Sequence, residues 1–195
     1  MKKARSVASG VFVLTLAAIA PVLATGRDGQ PPNLRSGNRR IQEVIRFALA
    51  RSESFQDLVA TLDLVDRIVY AEEGPCPGSE HPSCLYLMPG TRNIVVHIDP
   101  RQSIRIAAAM LAHELYHAAE IGNAPEVVDN ESLRALYERI GIRSCHGQSR
   151  HDCWETRAAQ AFQELVMRQL VTGDATSHSE RRTTGENRLR LSPER

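Results

Sequence analysis

The apolar positions of this chain change period several times, and each change marks an element. Residues 11–24, VFVLTLAAIAPVLA, are apolar without a period and follow a basic start, MKKAR. Val22 and Ala24 occupy the −3 and −1 places of a signal-peptidase site, so residues 1–24 read as a signal peptide cleaved after Ala24. The run from Val7 to Ala24 is nearly long enough to span a bilayer. Pro21 and the small-residue ending favour cleavage over an uncleaved anchor. No cysteine follows the run, which argues against a lipid anchor. The expectation is an exported protein, periplasmic or extracellular. Residues 25–37, TGRDGQPPNLRSG, then form a polar leader rich in proline and glycine.

Helical spacing begins at NRRIQEVIRFALA, where Ile41, Val44, Ile45, Ala48 and Leu49 share a face with arginines opposite. SESFQDLVATLDL predicts a second helix capped by Ser52 or Ser54. DRIVYAEE reads as a strand, and CLYLMPGTRNIVVHID as two strands around a turn at PGTRN, the second being Ile94 to Ile98. Asp99 and Pro100 offer a cap and a first turn for a helix running to Ile121, with Gly122 as its stop. NESLRALYERIG is a further helix ending at Gly141, and WETRAAQAFQELVMRQLVTG a long one ending at Gly173. Residues 174–195 are polar and read as a disordered tail. The order is helices, a small antiparallel group of strands, then helices: an α+β domain over residues 38–173.

Composition narrows the function classes. A formal net charge of +1 creates no large field, so neither nucleic acid nor a membrane surface beyond the signal segment is an expected partner. Aromatic residues make up 5% of the chain, which disfavours a base-stacking platform. The four cysteines form two close pairs, Cys76/Cys84 and Cys145/Cys153. In an oxidising compartment an even count favours disulfides, and pairing within each pair is the simplest of the three connectivities. Zinc is the rival at Cys145, His146, His151 and Cys153, but the spacing lacks the usual short knuckles.

The chemistry concentrates in HELYHAAE, residues 113–120. At 100° per residue His113 and His117 share a face, with Ile106, Met110 and Glu120 near them. Ile104, Ala108, Leu111, Leu115 and Ala118 line the opposite face. A helix apolar on its back, and apolar ahead of the histidines, is expected to be buried on both sides. Histidines at i and i+4 can each give a nitrogen to one zinc ion, with Glu114 beside the open position: the zinc-peptidase arrangement H-E-x-x-H.

An open catalytic zinc site needs a third protein ligand. Glu120 lies about 10 Å along the axis from His113 and suits a hydrogen bond to a ligand histidine better than ligation. Asp129 sits on a loop that can fold back. Glu155, at the start of the last long helix and followed by Ala158 and Ala159, is preferred, because small residues there allow close helix packing.

HELYH on one helix and WETRAAQAFQELVM on a later one resemble the paired metal and glutamate helices of the zincin superfamily, and within it of the gluzincin type. The second stretch is also similar to the E-x-x-A…E-L-x-M pattern of ImmA/IrrE-like peptidases, which are typically not exported. The resemblance covers residues from about 94 to 170. It implies a minimal zincin-like domain with a small antiparallel sheet packed on the active-site helix and on a later glutamate helix. It further implies His113, His117 and Glu155 as zinc ligands and Glu114 as general base. Many gluzincins carry an acid four residues after the ligand glutamate, where this chain has Ala159. Glu120 or Asp129 is then the candidate to orient a ligand histidine.

The expected activity is hydrolysis of peptide bonds in a peptide or protein substrate, with zinc-activated water and Glu114 moving the proton. Tyr137, His146, His151 and Arg157 are candidates to stabilise the oxyanion. The strand Ile94 to Ile98 is either a pairing edge for extended substrate or a half-buried sheet edge. Two other classes fit: a zincin-fold protein that holds zinc without cutting, and a disulfide-stapled helical binding module in which HELYH is accidental. An intact Glu114 argues against the first of these.

Overall fold

A computed structural model describes residues 30–77, 81–144 and 154–188 of the 195. The expected signal segment 1–24, the first part of the expected leader, the Cys145/Cys153 pair with His146 and His151, and residues 189–195 lie outside the described residues.

The chain is an α+β domain. Its elements run β1 (Leu34–Arg35), α1 (Arg39–Leu49), α2 (Glu53–Leu62), β2 (Val69–Glu73), β3 (Ser83–Leu87) and β4 (Ile94–Ile98), then α3 (Ile104–Gly122), α4 (Asn130–Ile140), β5 (Ile142–Arg143), β6 (Trp154–Glu155) and α5 (Arg157–Arg188). Asn38 and Ser52 cap the first two helices through their side chains, as their residue types favour.

The four-stranded sheet is mixed rather than antiparallel, in the order β1-β2-β4-β3. β2 is parallel to both β1 and β4, and only β3–β4 is antiparallel. The hairpin turn is where the sequence puts it. Thr91 N–H donates to Met88 O across Pro89 and Gly90, and Gly90 has φ 70, the left-handed conformation a type II turn needs at that place. The connection from β2 to β3 instead carries the chain past β4 to the far edge. Ile94–Ile98 is therefore an interior strand, and neither edge role holds for it; β3 is the edge. Alternation along a strand marks its faces but not its neighbours.

The expected leader contributes structure near its end. Leu34 is fully buried, Val69 N–H donates to Asn33 O, and the Asn33 side chain donates to Leu62 O and Val65 O. Helix α3 packs on α1, α2 and α5 and on β3 and β4, so both its sides are covered. Ala107, Ala108, Leu111, Ala112, Leu115 and Ala118 are buried on it. Burial of one such leucine contributes roughly 1.5–3 kcal/mol. Its first turn is the exception, with Ile104 and Ile106 exposed. The helix begins later than Asp99–Pro100 suggests: Ser103 is the cap, accepting from Ile106 N–H. Asp99 instead accepts from the Arg101 backbone and guanidinium. Gly173 does not stop α5, which continues to Arg188; one glycine inside a helix costs only about 1 kcal/mol. Among the described residues no helix is long and apolar enough to cross a membrane.

Candidate metal centre

Helix α3 carries His113, Glu114 and His117 at 7%, 5% and 6% exposure, so three polar side chains are buried among its alanines and leucines. Such burial costs free energy unless each group is paired. The pairing is specific. Glu155 Oε2 lies 3.0 Å from His113 Nε2, and Glu155 Oε1 lies 2.9 Å from His117 Nε2. Donor atoms of His113, His117 and Glu155 all lie within 4.8 Å of one another, and the three can hold a metal ion.

Glu155 reaches this place from a strand, not from a helix. It pairs in β6 with Ile142 of β5, the strand that follows α4. Gly141 makes the pairing possible, because a Cβ there would stand 2.6 Å from Tyr137 O and 3.1 Å from Glu155 O. Thr156 then caps α5, accepting from Ala159 N–H. The same hydroxyl donates to Glu120 Oε1 at 2.8 Å, which ties the end of α3 to the start of α5 beside Glu155. Thr156 was missed in the sequence, although a threonine directly before a helical run is a cap signal. That signal would have put Glu155 outside the helix.

Glu120, a candidate to orient a ligand histidine, accepts from His117 Nδ1 through its Oε2 at 2.8 Å. Tyr137 OH lies 3.4 Å from the same oxygen and 3.5 Å from His117 O, and its ring meets the His117 ring edge-on. Asp129 plays no part here. It caps α4, accepting from Ser132 N–H while the Ser132 hydroxyl answers the Asp129 backbone. An Asp followed three residues later by Ser suits that reciprocal cap.

The electrostatics follow from this geometry. Burial pulls the His117 pKa down, but hydrogen bonds to Glu120 and Glu155 outweigh it and raise it to about 9. Burial would push Glu155 up, yet the two imidazoles hold it down at about 2. Glu114 is pushed up by burial, partly offset by His113, His117 and the Ser83 hydroxyl.

A metal ion fits this donor set. Glu120 would keep a proton on His117 Nδ1 when a metal replaces the contact between Nε2 and Glu155, which leaves Nε2 as the nitrogen to ligate. His113 and His117 both turn Nε2 toward Glu155. Beside them a cavity of about 680 Å³ is lined by Ser83, Leu85, Tyr86, Glu114, Leu133 and Trp154, among others. Of the oxyanion candidates, Tyr137 lines the cavity with its ring edge-on to His117, and Arg157 is exposed and outside the lining. The Cys76–Cys84 disulfide forms as expected, with Cα atoms 5.8 Å apart, and belongs to the cavity wall. Comparison with protein-family models, with curated proteins and with solved structures finds no match for this chain.

Proposed function

We propose that this chain is an exported zinc-dependent peptidase of the gluzincin kind. His113, His117 and Glu155 hold the ion, and Glu114 is the general base. One observation carries the reading. Three ligand-type side chains converge within 4.8 Å, and the one acid of the motif that joins none of them lines the adjoining cavity. Two imidazoles and one glutamate, leaving a position open, are a catalytic zinc donor set. Export is supported by the basic start and apolar run of residues 1–24, and by a disulfide that suits an oxidising compartment.

Bound there, zinc supplies Lewis acidity toward a substrate carbonyl and toward water. The chain's own residues do the rest. Glu114 takes the proton from attacking water and returns it to the leaving amine. Its raised affinity for a proton, due to burial, suits that task. Glu120 holds His117 in the ligating tautomer, and Thr156 holds Glu120.

The test is Glu114→Gln in mature protein, assayed on a peptide library with and without chelator. Wild type cuts and loses activity to chelator. The variant keeps its zinc and loses at least about 10³-fold in kcat, the upper range for a lost acid–base group. Equal turnover by wild type and variant would refute the reading.

A further inference from the structure

The Glu114 carboxylate is buried, and among the described residues its one side-chain hydrogen bond comes from Ser83, whose hydroxyl donates to Oε1 at 2.7 Å. Ser83 is the first residue of β3, the edge strand, paired on one side only, to Ile98 of β4. Strand ends at a sheet edge are where local opening is easiest. Here that end is fastened three times. Asp99 N–H donates to Pro82 O, Ser83 pairs with Ile98, and Cys84 is bonded to Cys76. The other anchor is equally fixed. Gly74 N–H donates to Ile98 O, and His97 Nδ1 lies 3.0 Å from Pro75 O, so the segment leaving β2 is fastened along β4 up to buried Cys76. The disulfide therefore crosses β4 at His97, the register partner of Cys84, and clamps the edge strand one residue from the hydroxyl that holds Glu114. None of these contacts touches His113, His117 or Glu155. Their partners come from each other, from α3 itself, from the start of α5 and, for His117, from Tyr137 of α4.

We propose that the Cys76–Cys84 disulfide is a positioning device for the general base. The disulfide holds Ser83, and Ser83 holds the Glu114 carboxylate facing the cavity, so the clamp serves turnover and not metal retention. This rests on the peptidase reading above. Ser83 is a positioning residue: it acts through Glu114 and is not itself needed at the reacting atoms.

The experiment uses zinc-loaded, mature, oxidised protein. Ser83→Ala keeps its zinc and loses about 10- to 100-fold in kcat, the range for groups that orient a site's reacting residues. KM stays within about twofold, because the lost interaction serves the transition state. Ser83→Thr restores most of the rate. Cys76→Ala/Cys84→Ala loses kcat likewise, and adding Ser83→Ala to it gives no further loss, since the two act as one unit. Should the cysteine variant fail to fold, Ser83→Ala and Ser83→Thr decide the matter alone. Unchanged kcat in Ser83→Ala, a loss confined to KM, zinc lost together with activity, or multiplying losses in the combined variant would each overturn the proposal. An inactive wild type would instead defeat the peptidase reading, and the positioning is then read from crystal structures. One ordered Glu114 rotamer in wild type and a displaced or multiple one in Ser83→Ala supports it; the same rotamer in both overturns it.

Discussion

His113 and His117 lie one turn apart on α3 with rings meeting edge-on, centroids 4.8 Å apart, yet their surroundings differ. His117 is held at both nitrogens, by Glu120 and by Glu155, and its ring rests on Tyr137. His113 is held at Nε2 by Glu155, while its buried Nδ1 has no hydrogen-bond partner among the described residues. The difference teaches where the site is built. His117 has its tautomer and orientation set by the α3–α5 junction, whereas His113 depends on Glu155 and on the rigidity of the helix that carries it. A carboxylate partner makes a ligand imidazole more basic and better aimed, so on the proposed reading the two histidines are ligands of unequal quality.

Breaking the better-held half gives the largest effect. Glu120→Ala releases His117 Nδ1 and the Thr156 hydroxyl together, and zinc affinity falls about 10- to 100-fold, as measured by competition with a chelating dye. Thr156→Val, which removes only one of Glu120's hydrogen bonds, follows in the same direction with a smaller loss. Neither change alters the contacts of His113, so equal affinity in wild type and Glu120→Ala would show that the asymmetry has no energetic content.

Acidity sharpens the same comparison. In metal-free protein the His117 pKa lies near 9, above its ordinary 6.5, so its stabilisation is complete below 6.5 and lost as pH rises through about 9. The Glu155 pKa lies near 2, below its ordinary 4.5, so its stabilisation is complete above 4.5 and lost as pH falls through about 2. Metal-free protein is expected to melt highest between those ordinary values, and a pH series of Tm checks it. Zinc needs His117 Nε2 without its proton, so apparent zinc affinity rises about tenfold per pH unit from 6.5 toward 9. Glu120→Ala should flatten that slope near pH 8, because it removes one of the two hydrogen bonds that raise the pKa.

Legibility in the sequence follows the range of the interactions. Helix α3, its buried character and the shared face of His113 and His117 are written in a local period, and the β3–β4 turn in a local Pro-Gly pair. The Cys76–Cys84 pair is close in sequence and could be read directly. The contact of Glu120 with His117 follows from the helix alone, because residues i and i+3 are neighbours on its surface. What escaped depends on distant partners. Leu34 looks like part of a polar leader until Val69 pairs beside it. The mixed strand order arises from a crossover that no alternation records. Asp129 was a candidate for the site, but its use is a local cap. Glu155 was expected as a third ligand at the start of the last helix; it meets both histidines from a strand that exists only because Ile142 pairs with it across a gap in sequence. Two-residue strands bury too little to leave a pattern.

The central claim is that one carboxylate completes a metal site begun by two imidazoles, and native mass spectrometry of mature protein tests it most directly. Wild type should carry one zinc ion per chain, as a single three-ligand site requires, and Glu155→Ala none after dialysis at neutral pH, because both Nε2 atoms lose their shared partner. One zinc per chain in Glu155→Ala, or none in wild type refolded with zinc, would contradict the account.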